Sequence, residues 1–236
     1  MLRLLTLGGL ALEVDGSLVT GALTQRRRLA ILALLAVARE RGVPRDRLLA
    51  LLWPERDGER AAHVLTQLLY AQRRDAGADG LFLGTKTLRL NPEVMTSDLA
   101  QFEAALAVGD GAAALQLYRG PFLDGFHLDS APGFDEWLER ERNRCAERAR
   151  RAAEGLARAA GEAGDRGGTV RWWRRAVEVD PYRAGLAVAL AEALHARGDR
   201  AEALHELGAY AERLRRDLEL EPEPEVARLA ARLRSP

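Results

Sequence analysis

The 236-residue sequence has one cysteine, one lysine and no long hydrophobic run. The single Cys145 excludes an intrachain disulfide and any Cys-x-x-Cys metal site. The longest apolar run, residues 29–38, is about half the length that spans a membrane. The N-terminus shows neither the long hydrophobic region nor the cleavage site of a signal peptide. These absences predict a cytoplasmic protein with no membrane partner.

The sequence also lacks the motifs of common catalytic and metal sites. Its four histidines, at positions 63, 127, 195 and 205, do not have the His-Glu-x-x-His spacing of a zinc protease. Residues 80–86 resemble a phosphate-binding loop, but they are one residue short, and Thr85 separates Gly84 from Lys86. No Gly-x-Ser-x-Gly motif is present. We therefore expect no catalytic residue, no metal site and no cofactor.

The net charge of zero conceals an asymmetry between the two parts of the sequence. Residues 1–92 carry 14 Lys and Arg against 9 Asp and Glu, a net charge of +5, whereas residues 93–236 carry −5. A basic N-terminal part predicts that this part alone meets a polyanion such as DNA, although a chance distribution is the alternative.

The N-terminal part follows the pattern of a small sheet, three helices and a hairpin. Asp15-Gly16 predicts a tight turn within the opening sheet. Thr24 is the expected N-cap of the first helix, and Pro44 is expected in the first turn of the second. The predicted strands cover residues 2–7, 10–14 and 17–19, the helices 25–39, 45–53 and 59–76, and the hairpin 81–92. This order predicts an α+β winged helix-turn-helix domain at residues 1–92, with the hairpin as its wing.

The C-terminal part predicts helices only. Gly164-Asp165-Arg166 recurs 34 residues later as Gly198-Asp199-Arg200, which is the period of tetratricopeptide repeats. The predicted helices are residues 98–108, 111–118, 133–163, 168–179, 183–197, 199–217 and 223–234. We therefore expect an all-α, tetratricopeptide-like domain at residues 97–236. The link of residues 91–97 is short, and Val94 and Met95 within it are expected to pack, so the two domains should be tightly joined.

Several segments, in this order, carry a resemblance to a known family. In the N-terminal part they are residues 4–10 (LLTLGGL), 45–48 (RDRL), 52–54 (LWP) and the pair Arg73-Arg74. In the C-terminal part they are residues 117–123 (LYRGPFL), 134–138 (FDEWL), 141–142 (ER), 180–181 (DP) and 221–225 (EPEPE). With these motifs the chain resembles bacterial regulators of the antibiotic-regulatory-protein type, which join an OmpR-type winged helix to a bacterial transcriptional activation domain.

The resemblance implies a sequence-specific transcription activator. Its implied partners are double-stranded promoter DNA with direct repeats and RNA polymerase, and a homodimer is possible. The sequence departs from the family at Gln72 and Ala76, where leucine is usual, so the core side of the third helix is expected to be thinner at its C-terminal end. The alternative is a protein-interaction scaffold with tetratricopeptide-like repeats whose winged-helix domain does not bind DNA.

The third helix is the expected DNA-recognition helix. Val64, Leu65, Leu68 and Leu69 recur at helical spacing and are expected to face the core. The opposite face carries Arg60, His63, Thr66, Gln67, Tyr70, Arg73 and Arg74. Gln can bond adenine and Arg can bond guanine in the major groove, whereas Arg73 and Arg74 are expected to bind phosphate. An ordinary solvated face is the other interpretation.

Further DNA contacts are expected outside this helix. Backbone N–H groups at the start of the first helix attract phosphate, and neighbouring arginines add charge. Trp53 is expected to contact the core with one edge exposed, although its indole could instead lie on a phosphate. The expected contact residues are Gln25, Arg26, Arg27 and Arg28 at the helix start, Trp53, and Thr85, Lys86 and Arg89 on the wing. A solvated helix start and a merely soluble wing are the alternatives.

The adjacent Trp172 and Trp173 suggest a role for the helical domain in protein contact. Side chains of neighbouring helical residues point about 100° apart, so both rings can be buried only between two adjacent helices. Either both rings fill the repeat core, or one is exposed as an anchor for a partner protein.

Overall fold

The computed structural model describes residues 1–55 and 57–235, and the chain divides into two compact units. Unit 1 comprises residues 1–109 and 116–145, and unit 2 comprises residues 110–115 and 146–236. The elements up to the first helix pair are β1 (Leu2–Leu5), β2 (Ala11–Val14), β3 (Ser17–Leu18), α1 (Arg26–Ala38), β4 (Val43–Pro44) and α2 (Arg45–Leu52). They are followed by α3 (Gly58–Ala76), β5 (Phe82–Leu83), β6 (Thr87–Leu90), β7 (Met95–Ser97) and α4 (Asp98–Ala107).

The remaining elements are helices. They are α5 (Gly111–Leu117), α6 (Pro132–Glu162), α7 (Arg166–Val179), α8 (Ala184–Arg197), α9 (Arg200–Leu218) and α10 (Pro224–Arg234). Together with the N-terminal strands, they confirm the predicted fold class of a winged helix followed by a helical repeat region. In the part of the chain that the structure describes, no helix is both long enough and apolar enough to cross a membrane.

Unit 1 has two small sheets around α1. The first has the strand order β3-β2-β1-β7, with β1 antiparallel to β2 and parallel to β7. The second has the order β4-β6-β5, in which the hairpin β5–β6 is the wing. Residues 28–36 of α1 are all buried. This helix is therefore the core element against which the wing and the helix-turn-helix pack.

Strand β7 lies within residues 91–97, which were predicted to form a short link in which Val94 and Met95 pack. Met95 pairs with Leu2, and both side chains are buried, which agrees with the expectation that Met95 packs. A three-residue strand leaves too short a pattern to recognise in a sequence. Pairing with a strand about 90 residues earlier, not local propensity, determines this conformation.

Two predicted helix starts also differ in the structure. Thr24 does not cap α1, because it ends a short 3₁₀ turn and its hydroxyl donates to the carbonyl of Gly21 at 2.8 Å. The N-cap position of α1 is Gln25, whose side chain makes no capping hydrogen bond. Pro44 lies just before the first turn of α2 and pairs with Thr87 of the wing.

A buried carboxylate joins the first sheet to α4. Asp98 is 4% exposed and accepts hydrogen bonds from the backbone N–H groups of Thr6 and Leu7 at 2.8–2.9 Å. It also accepts from the Thr6 hydroxyl at 2.6 Å and from the backbone N–H of Leu99 at 2.8 Å. A buried charge is tolerated when several donors satisfy it. Asp98 therefore holds the end of β1 to the start of α4.

Residues 116–145 complete unit 1 with an aromatic cluster. Phe122 forms isolated bridges with Leu7 and Gly9, and its ring lies 5.9 Å from that of Trp137. Trp137 in turn lies 5.2 Å from Phe134. Arg142 donates to the carbonyls of Phe122 and Leu123. The segment is thus packed against β1 and the loop that follows it.

Unit 2 is built from repeated helical hairpins. The two predicted repeat turns contain Gly164 and Gly198, which both have positive φ, and each is followed by an aspartate at the N-cap of the next helix. The core gathers buried side chains from α7, α8, α9 and α10. Both tryptophans are partly buried: Trp173 packs against this core, and the ring of Trp172 lies 4.8 Å from the Arg171 guanidinium. Neither ring is fully buried, and of the two only Trp173 is packed against the core of α7 to α10.

Candidate nucleic-acid interface

Helix α3 presents a polar face to solvent. Its buried side is narrow, formed by Ala61, Leu65, Leu69 and Gln72. Val64 and Leu68, which were expected in the core, are only partly buried. The predicted recognition residues Arg60, His63, Thr66, Gln67 and Tyr70 are all exposed, and Tyr70 is 65% exposed. An exposed tyrosine of this size on a helix is available for contact with a partner.

His63 and Gln67 form a pair on this face. The amide nitrogen of Gln67 lies 2.8 Å from Nε2 of His63, one helical turn away. A side chain that is already held in one rotamer loses less entropy when it binds. The pair is therefore held in one arrangement on the exposed face of α3.

Arg45, which was not among the expected contact residues, connects the polar face of α3 to the wing. Its Nε donates to the carbonyl of Thr85 at 2.7 Å, and its Nη1 donates to the Thr66 hydroxyl at 3.3 Å. Its backbone N–H also donates to the carbonyl of Lys86 at 3.0 Å. The only sequence signal for this residue is its place in the family motif RDRL. Arg45 thus holds the wing turn beside α3.

The wing residues Thr85, Lys86 and Arg89 are exposed. The stem of Arg89 crosses Gly42, where a Cβ atom would lie 2.8 Å from the Arg89 Cγ and 2.6 Å from the Leu88 carbonyl oxygen. Gly42 also has φ +64°, which favours glycine. A residue without a side chain is therefore required beside the wing.

The end of α3 contains a charged cluster that is already paired within the protein. Arg74 donates to Asp75 at 2.7 and 2.9 Å, and Arg28, which is buried, donates to the same carboxylate at 2.7 Å. The hydrogen bond from Arg28, followed by that from Arg74, lowers the pKa of Asp75. The hydrogen bond to Asp75 raises the pKa of Arg74. Arg28 was expected to attract phosphate, and its burial makes that expectation wrong.

Arg73 is partly buried, with its guanidinium 5.6 Å from the centre of the Phe82 ring. Its neighbour Gln72 is 2% exposed, and among the described residues its Nε2 has no hydrogen-bond partner. A buried amide without a partner is unfavourable. The departure from the family leucine therefore leaves this end of α3 less well packed than a leucine would.

The arginines at the start of α1 contact a loop of unit 1. Arg26 donates to the carbonyl of His127 at 3.0 Å and lies 5.0 Å from the Phe126 ring. Arg27 donates to the carbonyls of Leu52 and Asp129 at 3.3 and 3.4 Å. Gln25 is exposed. The expected phosphate contacts of Arg26 and Arg27 therefore stay predictions that compete with these bonds.

Trp53 is 5% exposed and lies 5.9 Å from the Arg27 guanidinium. This burial agrees with the expected core contact, whereas the expected exposed edge is nearly absent. Together with Val64 and Leu68 it lines a groove of about 350 Å³ at the base of α3.

The charge asymmetry of the sequence does not follow the compact units. Unit 1 contains 18 Lys and Arg and 18 Asp and Glu, and unit 2 contains 17 of each. Residues 93–109 and 116–145 bring nine acidic residues and four arginines into unit 1. Any attraction to a polyanion must therefore come from local surfaces such as α3 and the wing.

Among residues 1–55 and 57–235, no group of three His, Cys, Asp or Glu side chains is placed to hold a metal ion.

Comparisons with known proteins agree with this architecture. The sequence model of the bacterial transcriptional activator domain matches residues 92–234. The solved structure of Mycobacterium tuberculosis EmbR in complex with a low-affinity phosphopeptide is similar to 98% of this chain, with 26% sequence identity and a TM-score of 0.66. The chain spans 64% of the length of that EmbR chain. A comparison with curated proteins found no significant match.

The family match covers more than half of the chain, and the structural similarity to EmbR extends through the winged helix. These two findings confirm the resemblance that the sequence motifs indicated. This chain belongs to the bacterial transcriptional activator domain family.

Proposed function

We propose that this chain is a transcriptional regulator of the antibiotic-regulatory-protein type, which binds promoter DNA sequence-specifically through α3 and the wing and activates transcription by recruiting RNA polymerase. The observation that carries the proposal is the exposed face of α3 beside the wing. Residues 60–74 include no Asp or Glu, and Arg45 joins the face to the wing turn. A helix of this kind fits the major groove, where its polar side chains reach base edges.

The proposed contacts fall into two groups. His63, Gln67 and Tyr70, with Arg60 and Thr66 beside them, would face the bases. The groups nearer the backbone would be Arg73, Arg74, Gln25, Arg26, Arg27, Trp53, Thr85, Lys86 and Arg89. Arg26, Arg27 and Arg74 already have partners within unit 1, so DNA would have to compete for them. Base contacts determine sequence preference, whereas backbone contacts contribute to the affinity for all sites.

The test uses the full chain in a binding-site selection, followed by fluorescence anisotropy over a range of salt concentrations. Each phosphate that the protein neutralises should contribute a slope of about −0.9 in log affinity against log salt concentration. His63→Ala or Gln67→Ala should flatten the selected sequence, because a bidentate base contact contributes about 1–3 kcal/mol of discrimination. Arg73→Ala should weaken all sites alike.

Matched controls lie on exposed helical positions outside this face. His205→Ala on α9 and Gln116→Ala on α5 remove the same side chains. They should leave both sequence preference and affinity unchanged. A salt-independent affinity, or a selected sequence that survives His63→Ala and Gln67→Ala, would contradict the proposed interface and favour the protein-interaction scaffold.

The helical repeats of unit 2 are proposed as the surface for protein contact, either with RNA polymerase or with a second copy of the chain. The partly buried Trp172 supports this, since tryptophan is enriched at binding hot spots. Binding to direct repeats would suit a head-to-tail dimer. At saturating DNA occupancy, Trp172→Ala should lower transcription in vitro without changing DNA affinity. Tyr182→Ala, at an exposed aromatic of the same unit, is the control.

A further inference from the structure

Unit 1 contains a cavity of about 530 Å³ behind the wing. Its apolar lining includes Leu35 from α1, Leu83 and Leu90 from the wing strands, Met95 from β7, and Ala100 and Ala104 from α4. Cavities of about 300–1,000 Å³ with mostly apolar walls and a few polar groups are typical of small-molecule sites. The cavity is therefore large enough for a ligand of two or three fused or linked rings.

The rim of the cavity is more basic than acidic. It carries Arg39, Arg89 and Glu40, together with Gln101. Arg39 is half-exposed and donates to Glu103 at 3.2 Å, so part of its charge is compensated. Within residues 1–55 and 57–235, no side chain pairs with the Arg89 guanidinium, whose stem lies across Gly42. Arg89 thus places an exposed cation at the edge of a mostly apolar cavity.

We propose that this cavity binds a small amphipathic organic anion, with the apolar body between the wing and α4 and the anionic group on Arg89. Arginine suits this role because its guanidinium is always charged and presents several donors in a plane to a carboxylate or sulfonate. The apolar walls favour the body of the ligand by removing it from water.

The site has a consequence for regulation that rests on the proposed DNA-binding function. Arg89 and Leu90 belong to wing strand β6, and Arg89 is one of the residues proposed to lie near DNA. An anion on Arg89 would neutralise that charge, so the ligand should weaken DNA binding. By linkage, DNA must weaken ligand binding by the same factor.

The first experiment measures binding of two fluorescent probes to the full chain without DNA. One is 8-anilinonaphthalene-1-sulfonate, and the other is N-phenyl-1-naphthylamine, which has the same rings but no charge. Both should bind saturably at one site. Arg89→Gln should weaken the sulfonate about tenfold, equivalent to about 1.4 kcal/mol, and leave the neutral probe unchanged. Lys86→Gln removes a wing charge outside the cavity and should affect neither probe.

A second pair of variants tests the location. Ala104 lies on the exposed side of α4 at the cavity, so Ala104→Trp should fill the cavity and abolish binding of both probes while the chain stays folded by circular dichroism. Ala107→Trp, on the same helix but outside the cavity lining, should bind both probes normally. Normal binding to Ala104→Trp, or equal weakening of both probes by Arg89→Gln, would overturn the proposal.

The coupling is tested by measuring DNA affinity with and without the sulfonate. The sulfonate should weaken DNA binding by the wild-type chain and not by Arg89→Gln. Sulfonate binding at the cavity that leaves wild-type DNA affinity unchanged would overturn the coupling. If the wild-type chain binds no DNA at all, the proposed function fails, whereas the probe measurements still decide whether the cavity is a binding site.

Discussion

The two compact units differ in the sequence range of the contacts that stabilise each of them internally. In unit 1, Asp98 binds Thr6 and Leu7, which precede it by more than 90 residues, and Phe122 pairs with Leu7. In unit 2, the helices of the core are neighbours in the chain, and Asp165 caps a helix through Gly168, three residues later. Unit 1 is therefore a non-local structure, and unit 2 is a stack of local hairpins.

This difference has a practical consequence for the DNA-binding part of the chain. The sequence motifs place a domain division at residues 92–97, and the family match begins at residue 92. The compact unit that contains α3 and the wing nevertheless includes β7, Asp98 and the aromatic cluster of residues 116–145. A protein that ends near residue 95 would lose these long-range partners.

The largest effect is expected from dividing the chain. A fragment of residues 146–236 should unfold cooperatively, because its core lies between Val170 and Leu233. A fragment of residues 1–95 should show no cooperative transition, because it lacks Asp98 and ends inside β7. Thermal unfolding followed by circular dichroism measures both, and a fragment of residues 1–145 is the control that should restore the transition. A cooperative transition in residues 1–95 would show that unit 1 does not depend on its distant contacts.

Removing the Asp98 carboxylate should have the next largest effect. Asp98→Ala leaves three backbone N–H groups and the Thr6 hydroxyl without their acceptor. Each unpaired buried group costs about 1–3 kcal/mol, so the free energy of unfolding should fall by at least about 3 kcal/mol. Urea denaturation of the full chain measures this. Asp98→Asn should lower the free energy of unfolding less, since its amide retains one acceptor oxygen. Equal stability of Asp98→Ala and the wild-type chain would show that Asp98 does not hold β1 to α4.

The corresponding carboxylate of unit 2 should matter less. Asp165→Ala removes one N-cap hydrogen bond to Gly168, which contributes about 1 kcal/mol in typical helices. Asp199 is at the same position of the next repeat, but its side chain makes no capping hydrogen bond. Asp199→Ala is therefore the matched control and should change the free energy of unfolding less than Asp165→Ala. A reversed order would mean that the cap is not what stabilises the repeat turn.

The smallest effect is expected from acidification at the end of α3. The pKa of Asp75 is lowered in the folded state, so its ion pairs stabilise the fold at neutral pH. This contribution is complete above the unfolded-state pKa, about 3.9 for aspartate, and is lost as the pH falls through the lower folded-state pKa. NMR titration of the Asp75 carboxyl should show Arg74→Gln raising this pKa only part of the way, because Arg28 is the larger cause. If Arg74→Gln returned the pKa of Asp75 fully to its ordinary value, the role of Arg28 would be contradicted.

Local signals in the sequence were sufficient for most of the fold. Helical periodicity, Gly-Asp turns and the 34-residue repeat predicted α4 to α10, and the alternation around Gly84 predicted the wing. The exposed face of α3 was predicted in the same way, because burial along a helix follows its period of 3.6 residues. Strand β7 and the true start of α1 were missed, since neither has a distinctive local pattern.

Local sequence patterns are thus sufficient to predict the order and type of the elements and which face of α3 is polar. The partners of the charged groups depend on the three-dimensional fold. It paired Arg28 with Asp75, turned Arg26 and Arg27 to carbonyls about 100 residues away, and bridged α3 and the wing through Arg45. It also made both units electrically neutral. The physical reason is that propensity and periodicity act over a few turns, whereas a charge pairs with whatever the fold brings within hydrogen-bonding distance.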